Sequence, residues 1–241
     1  MNSAVQMITW QGLMLAFVPA VVAIAIMYRW AAGATTAIYA TARMLLQLLL
    51  IGYVLVYIFE ADKPWIIIAV LLVMLVAASW IAIRPVQRKQ PSVYRNALIA
   101  ISVSGVLTLI LVSQVVIKVE PWFSPRYLVP LAGMIFAGAM NTVSLAAERF
   151  HSESERGVSY FEARRVALET ALIPMINSLF AVGLVSLPGM MTGQILSGVS
   201  PIVAAKYQIV VMTMLFGVSG LSAALFVVLE QRSITAAKDA E

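Results

Sequence analysis

The sequence predicts an all-α, polytopic membrane protein, and three observations carry that reading. Hydrophobic residues make up 62% of the chain and charged residues only 11%, with a mean hydropathy of +0.95. A soluble domain carries about 25% charged residues. Apolar runs recur at about the 20-residue length that a bilayer-spanning helix needs. The polar stretches between those runs concentrate basic residues in alternate loops, as topology signals do.

Seven candidate spans follow in order: residues 8–28, 35–59, 65–83, 97–117, 128–147, 171–190 and 207–229. The third is the shortest, and the sixth ends at a Pro-Gly pair. On one side of these spans lie Arg29, then Arg84, Arg88, Lys89 and Arg95, then Arg149, Arg156, Arg164 and Arg165, and finally Arg232 and Lys238. The other side has Lys63, Lys118, Arg126 and Lys206. The excess of basic residues places the N-terminus outside and the C-terminus in the cytoplasm, in agreement with an odd number of spans. The expectation is a single transmembrane domain over 1–241 with one longer cytoplasmic loop at 148–170. Tyr28, Trp30, Phe59, Trp65, Trp80, Trp122, Phe123, Tyr127 and Tyr207 fall near span ends, where aromatic side chains anchor at the interface.

Several function classes drop out. The chain has no cysteine and one histidine, His151, so a thiolate site, a disulfide framework and a His-rich metal cage within one subunit are excluded. It has no Walker-type glycine loop, so the chain cannot hydrolyse a nucleotide by that route, and energy-driven transport would need a partner or an ion gradient. The net charge of +5 reads as loop topology signals and not as a nucleic-acid surface.

Polar residues within the spans are the candidates for function. Arg43 stands well inside the second span, and Thr36, Tyr39, Arg43 and Gln47 share one helix face by their spacing. An arginine at the bilayer centre costs about 2.5–3.5 kcal/mol on insertion scales, so it faces a bundle interior or watery cavity, or else snorkels to an interface. Asn141 lies on a stripe with Ala137, Ser144 and Glu148, in a span whose Ala132, Gly133, Gly138 and Ala139 suit close helix packing. Asn177 and Ser178 follow Pro174 in the sixth span, and Thr213, Gly217, Gly220 and Ala224 make a small-residue face on the seventh. The 148–170 loop mixes both charges. From Val158 it reads as an amphipathic helix with Val158, Phe161, Leu168 and Leu172 on one face and an Arg165–Glu169 pair at i,i+4. Such an element suits either a soluble partner or a headgroup surface.

Residues 183–201 cannot form one plain helix, because Pro188, Gly189, Gly193, Gly198 and Pro201 interrupt it. Irregular backbone at membrane depth is tolerated only where protein or water satisfies it. Met190 and Met191 sit on this break. Thioethers suit soft metals, but two methionines without Cys or His read better as packing or gating, and the metal ligands stay unassigned.

The stretch Val182-Gly-Leu-Val-Ser-Leu-Pro-Gly-Met-Met-Thr-Gly-Gln-Ile-Leu-Ser-Gly-Val-Ser-Pro201, continuing to Ile209, resembles the signature of the FetB-type iron-export ABC permeases, a family that includes plant aluminium-tolerance permeases. Arg43 to Leu55, Pro130 to Asn141 and Ala171 to Asn177 resemble it too, so the likeness covers most of the chain. The resemblance implies the membrane subunit of an ABC transporter in the bacterial inner membrane, itself not an enzyme. A separate ATPase subunit would bind ATP, and the permease would pair as a homodimer within the lipid bilayer. It further implies iron or another metal as substrate, with a nucleotide sugar or other anion as the alternative suggested by plant members. On that reading Arg43, Gln47, Asn141 and Asn177 line the path. Pro188, Gly189, Met190, Met191 and Gly193 shape an outer gate, and Phe161, Glu162, Arg164 and Arg165 couple to the ATPase. The chain departs from the family in the loop between the fifth and sixth spans, which is shorter and lacks a Leu-Gly-Ala-Thr-like element. From the residues alone, an ion-gradient-driven transporter and a non-transporting scaffold stay open.

Overall fold

A computed structural model describes residues 8–60, 63–86 and 90–238; Asp62, Arg88 and Lys89 lie outside the described residues. The protein is a polytopic all-α membrane protein. Its helices are α1 (Trp10–Ala16), α2 (Val18–Arg29), α3 (Ala34–Phe59), α4 (Pro64–Ala82), α5 (Pro91–Ile110), α6 (Pro125–Glu155), α7 (Tyr160–Ala181), α8 (Gly189–Leu196) and α9 (Pro201–Lys238). A π-helical turn, Leu111–Val116, extends α5. Proline opens α4, α5, α6 and α9, where its missing N–H is no loss and its fixed φ suits the helix.

Six helical segments are long and apolar enough to cross a membrane: Trp10–Arg29, Ala34–Phe59, Pro64–Ala82, Pro91–Val116, Pro125–Glu155 and Pro201–Ile234. The sixth predicted span, 171–190, is not one helix. α7 stops at Ala181, and its first three turns carry Glu162, Arg164, Arg165 and Glu169. The apolar remainder, residues 170–181, rises only about 18 Å, short of the roughly 30 Å hydrocarbon core.

Packing divides the chain, read from sequence as one domain, into two compact units, Met1–Glu60 and Ala61–Glu241. The first holds α1 to α3. Almost all of its side chains are exposed, with Ala34 and Ile58 the buried exceptions among those described. Gly33, at φ +73°, makes the left-handed turn from α2 into α3.

The second unit carries the core. Small residues let its helices approach closely: Ala97, Ala100, Ala132, Ala139, Ala146 and Ala147 are fully buried. A Cβ on Gly105 would stand 2.9 Å from Phe136 Cε1, and one on Gly138 would stand 3.2 Å from Leu215 Cδ2. The predicted packing of Ala132, Gly138 and Ala139 is therefore seen, while Ala137 is exposed. Among the described residues no atom stands within 4 Å of a Cβ placed on Gly217 or Gly220, so these two glycines of α9 are not points of close helix approach. Buried hydroxyls bond back to their own helices: Ser79 to the Leu75 carbonyl, Ser104 to Ala100 and Thr142 to Gly138.

The predicted 148–170 loop is largely helix. α6 runs to Glu155 and α7 begins at Tyr160, so the connection is the four residues 156–159. By rise per residue α6 is about 46 Å long and α9 about 57 Å, so both outrun the hydrocarbon core. Hydropathy stops at the membrane surface, but i,i+4 ion pairs such as Arg149–Glu153 carry the helix beyond it.

Candidate functional site

At the charged end of the second unit, the start of α5 and the ends of α6 and α9 converge. Glu230 of α9 is only 2% exposed. Asn96 of α5 donates through Nδ2 to Glu230 Oε2 at 2.8 Å and to Ser233 Oγ at 3.0 Å. His151 Nε2 of α6 lies 3.3 Å from Glu230 Oε1, a close polar contact whose hydrogen-bond geometry is not met. Close by in sequence, the buried Glu153 pairs with Arg149 at 2.7 Å and with Arg156 at 3.4 Å. A buried carboxylate is tolerable only when paired and hydrogen-bonded. Sequence reasoning missed this network because Asn96 and Glu230 are 134 residues apart and His151 lies far from both in the chain, and Glu230 reads as an ordinary tail charge. The available signal was a Glu standing one turn after the apolar Phe226 and Val227.

The four predicted coupling residues come together on the first turns of α7. Ser159 caps the helix by accepting from the Glu162 N–H. Arg165 donates to Glu162 on one side, at 2.6 Å, and to Glu169 on the other, at 3.0 Å. The hydrogen bond from Arg165 holds the Glu162 carboxyl below its ordinary value, and the same bond pushes the guanidinium of Arg165 up. Arg164 lies over the rings of Phe161, at 4.9 Å, and Tyr160, at 5.4 Å. The apolar face expected from Val158, Phe161, Leu168 and Leu172 packs only in part: Val158 and Leu168 lie partly buried against the core and Leu172 is half-buried. Phe161 is 70% exposed, and Ala163, Ala167 and Ala171 are buried in its place. Small side chains win because α7 must sit close against its neighbours. The result is an exposed surface of one aromatic ring, a stacked arginine and a three-membered ion ladder, anchored from below by Tyr160 against Phe150 at 6.3 Å.

At the opposite end the break between the last apolar segments has a defined structure. Gly183, at φ +84°, and a tight turn close over the Ala181 carbonyl, which accepts from Val185 at 2.8 Å and Ser186 at 3.1 Å. Pro188 then leads into α8, with Gly189 as its first residue. Met190 packs partly buried against the core, Met191 is half-buried, and no atom stands within 4 Å of a Cβ on Gly193. Gly198, at φ +91°, and the Val199 N–H to Gln194 carbonyl bond end α8. Leu184 and Val185 are almost fully exposed at the turn. Gln208, buried in α9, and Gln194 both have a side-chain carbonyl oxygen with no donor among the described residues.

The predicted path residues divide between the two units. Arg43 is half-buried on α3 of the first unit, with Gln47 exposed one turn on, and no carboxylate among the described residues of that unit pairs with Arg43. Asn141 on α6 and Asn177 on α7 belong to the second unit, where both are exposed and neither has a hydrogen-bond partner among the described residues. Among the described residues no group of three His, Cys, Asp or Glu side chains is placed to hold a metal ion, and Met190 and Met191 gain no such neighbours.

The model of the uncharacterised protein family UPF0014 matches residues 10–164 and 159–235. The UPF0014 membrane protein slr1647 of Synechocystis is 33% identical over 92% of this chain and 85% of its own length. The probable iron export permease protein FetB of Escherichia coli is 33% identical over 89% of this chain and 88% of its own. The Arabidopsis thaliana protein ALUMINUM SENSITIVE 3 is 34% identical over 77% and 72%. No solved structure matches significantly. With both segments of the family model accounted for and relatives aligned along nearly its whole length, the chain belongs to the UPF0014 family of membrane proteins.

Proposed function

We propose that this chain is the membrane-embedded subunit of an ABC exporter, acting on iron or another metal and driven by a separate ATPase subunit. The observation that carries the reading is the near full-length similarity to a protein named as an iron export permease, in a chain with no phosphate-binding loop of its own. The exposed Phe161–Glu169 face of α7 supports it, since it offers a rigid, charged and aromatic docking surface outside the membrane. On this reading the charged end faces the cytoplasm of a bacterial cell, the N-terminus lies outside the inner membrane, and two permease subunits pair. Residues 183–201 gate the outer side, and Arg43, Gln47, Asn141 and Asn177 line the path. Exposed amides in hydrocarbon cost free energy unless water or a polar ligand reaches them, which suits that role. Deletion of the protein should raise cellular iron and sensitivity to added iron salts, and reintroduction should reverse both. Unchanged iron content and tolerance would refute the metal assignment.

A second reading concerns the substrate alone. Arg43 has no carboxylate partner in its unit, and the chain lacks a metal-binding cluster among the described residues. An anionic solute or a negatively charged metal chelate would suit that arginine better than a bare cation. Competition of iron efflux by a nucleotide sugar would favour it.

A further inference from the structure

The carboxylate of Glu230 joins three helices at one point. α5 reaches it through Asn96, α6 through His151, and Glu230 itself stands two turns from the end of the longest helix, α9. Packing alone would be served by another apolar residue, as Phe226 and Val227 serve one turn earlier, fully buried. A polar network in that position has few satisfied arrangements, and it resists intermediate ones because an unpaired buried group is costly.

The network is also continuous with the α7 surface. Arg164 stacks on Tyr160 at 5.4 Å, Tyr160 meets Phe150 edge-on at 6.3 Å, and Phe150 is fully buried beside His151 in the last turns of α6. A displacement of the first turn of α7 therefore bears on Phe150, and through it on the His151–Glu230 contact. That contact is the loose link: His151 Nε2 is buried, 3.3 Å from the carboxylate, yet without hydrogen-bond geometry, whereas Asn96 is well bonded. It has room to tighten. α9 is one uninterrupted helix from Glu230 back to Pro201, where Ser200 and the positive-φ Gly198 form the joint with α8.

We propose that Glu230, His151 and Asn96 are positioning residues that form a transmission latch, linking the α7 docking surface to α9 and so to the joint at the far end of the bundle. This rests on the reading of that surface as the ATPase-docking site. When α7 is pushed, His151 closes on Glu230, and α9 moves as a rigid rod about the Gly198–Pro201 joint.

The test compares wild type, Glu230→Leu and Glu230→Gln, the last of which keeps an acceptor oxygen for Asn96 and sets a polar amide group in place of the oxygen facing His151. Each is assembled with the ATPase subunit, and affinity for that subunit is measured apart from permease-dependent ATP hydrolysis. Because the chain has no cysteine, spin labels at Arg95→Cys and Arg232→Cys report the α5–α9 distance without background. The latch predicts that Glu230→Leu binds the ATPase as wild type does, loses at least tenfold of the permease-dependent hydrolysis, and loses the nucleotide-induced change in label distance. Glu230→Gln restores at least half of both. Wild-type transmission in Glu230→Leu, or no rescue by Glu230→Gln, overturns it. If Glu230→Leu does not fold, His151→Phe, which keeps the ring against Phe150, carries the same comparison. A wild type that binds no ATPase defeats the docking reading alone. The latch is then read in the free permease, where Glu230→Leu must at least double the width of the label-distance distribution, and an unchanged width overturns it.

Discussion

Replacing Asn96 by Leu should destabilise the protein more than replacing the buried acid it serves. Asn96→Leu removes the 2.8 Å donor to Glu230 and leaves a carboxylate that is 2% exposed with only the loosely oriented His151. Losing a hydrogen bond to a buried charge costs about 1.5–3 kcal/mol, so about 2.5 kcal/mol is expected. Glu230→Leu removes the charge itself, and Asn96 Nδ2 keeps the Ser233 hydroxyl at 3.0 Å, so its cost falls to about 1 kcal/mol. The double variant leaves neither an unpaired charge nor an unpaired amide and should also cost about 1 kcal/mol. The two single changes then fail to add by about 2.5 kcal/mol, well beyond the roughly 0.5 kcal/mol expected of independent sites. Reversible unfolding in mixed micelles across the four proteins measures this. Additive costs, or Glu230→Leu being the worse single change, would refute the pairing argument.

Gly105→Val should destabilise by about 1–3 kcal/mol, because a Cβ there meets the buried Phe136 at 2.9 Å and overpacks the α5–α6 contact; a thermal scan in detergent that matches wild type would contradict it. The Glu162 carboxyl is held below its ordinary value by Arg165, so the ladder's contribution is complete above about pH 4.5 and is lost as pH falls through the lowered value. Amide exchange in the first turns of α7 should therefore quicken only in strong acid, and Glu162→Gln should remove that dependence. Arg43→Ala should insert normally yet lose transport at least tenfold, and full activity in that variant would take Arg43 out of the path.

Much of the fold was legible because the bilayer writes itself into hydropathy. Runs such as 35–59 and 65–83 match α3 and α4 within a residue. The errors share one cause: hydropathy marks where apolar solvent ends, not where a helix ends. α6 continues through Arg149 and Glu153, and α9 through Glu230, on ion pairs and tertiary contacts that a hydropathy window reads as loop. The same blindness misplaced the bounds of 171–190, since α7 begins at Tyr160 in charged surroundings and stops at Ala181. The break was legible, since Gly183 and Gly198 both take the positive φ that glycine permits. On α7 the buried face was legible in part: Val158 and Leu168 pack against the core as their spacing predicts, but elsewhere size outweighed apolarity. Ala163 and Ala167 allow close approach, and Phe161 is left outside. The Asn96–Glu230 contact was invisible because no local pattern links residues so distant in the chain.

The central claim is that this permease works through a separate ATPase docked on α7. Its most direct test is ATP-dependent iron efflux from proteoliposomes, with and without the ATPase subunit that co-purifies with the tagged protein, beside an Arg164→Glu, Arg165→Glu variant. The account predicts that wild type captures an ATPase, that ATP raises efflux at least tenfold, and that the reversed-charge surface loses capture and efflux together. Capture of no ATPase, or efflux indifferent to ATP, would contradict it.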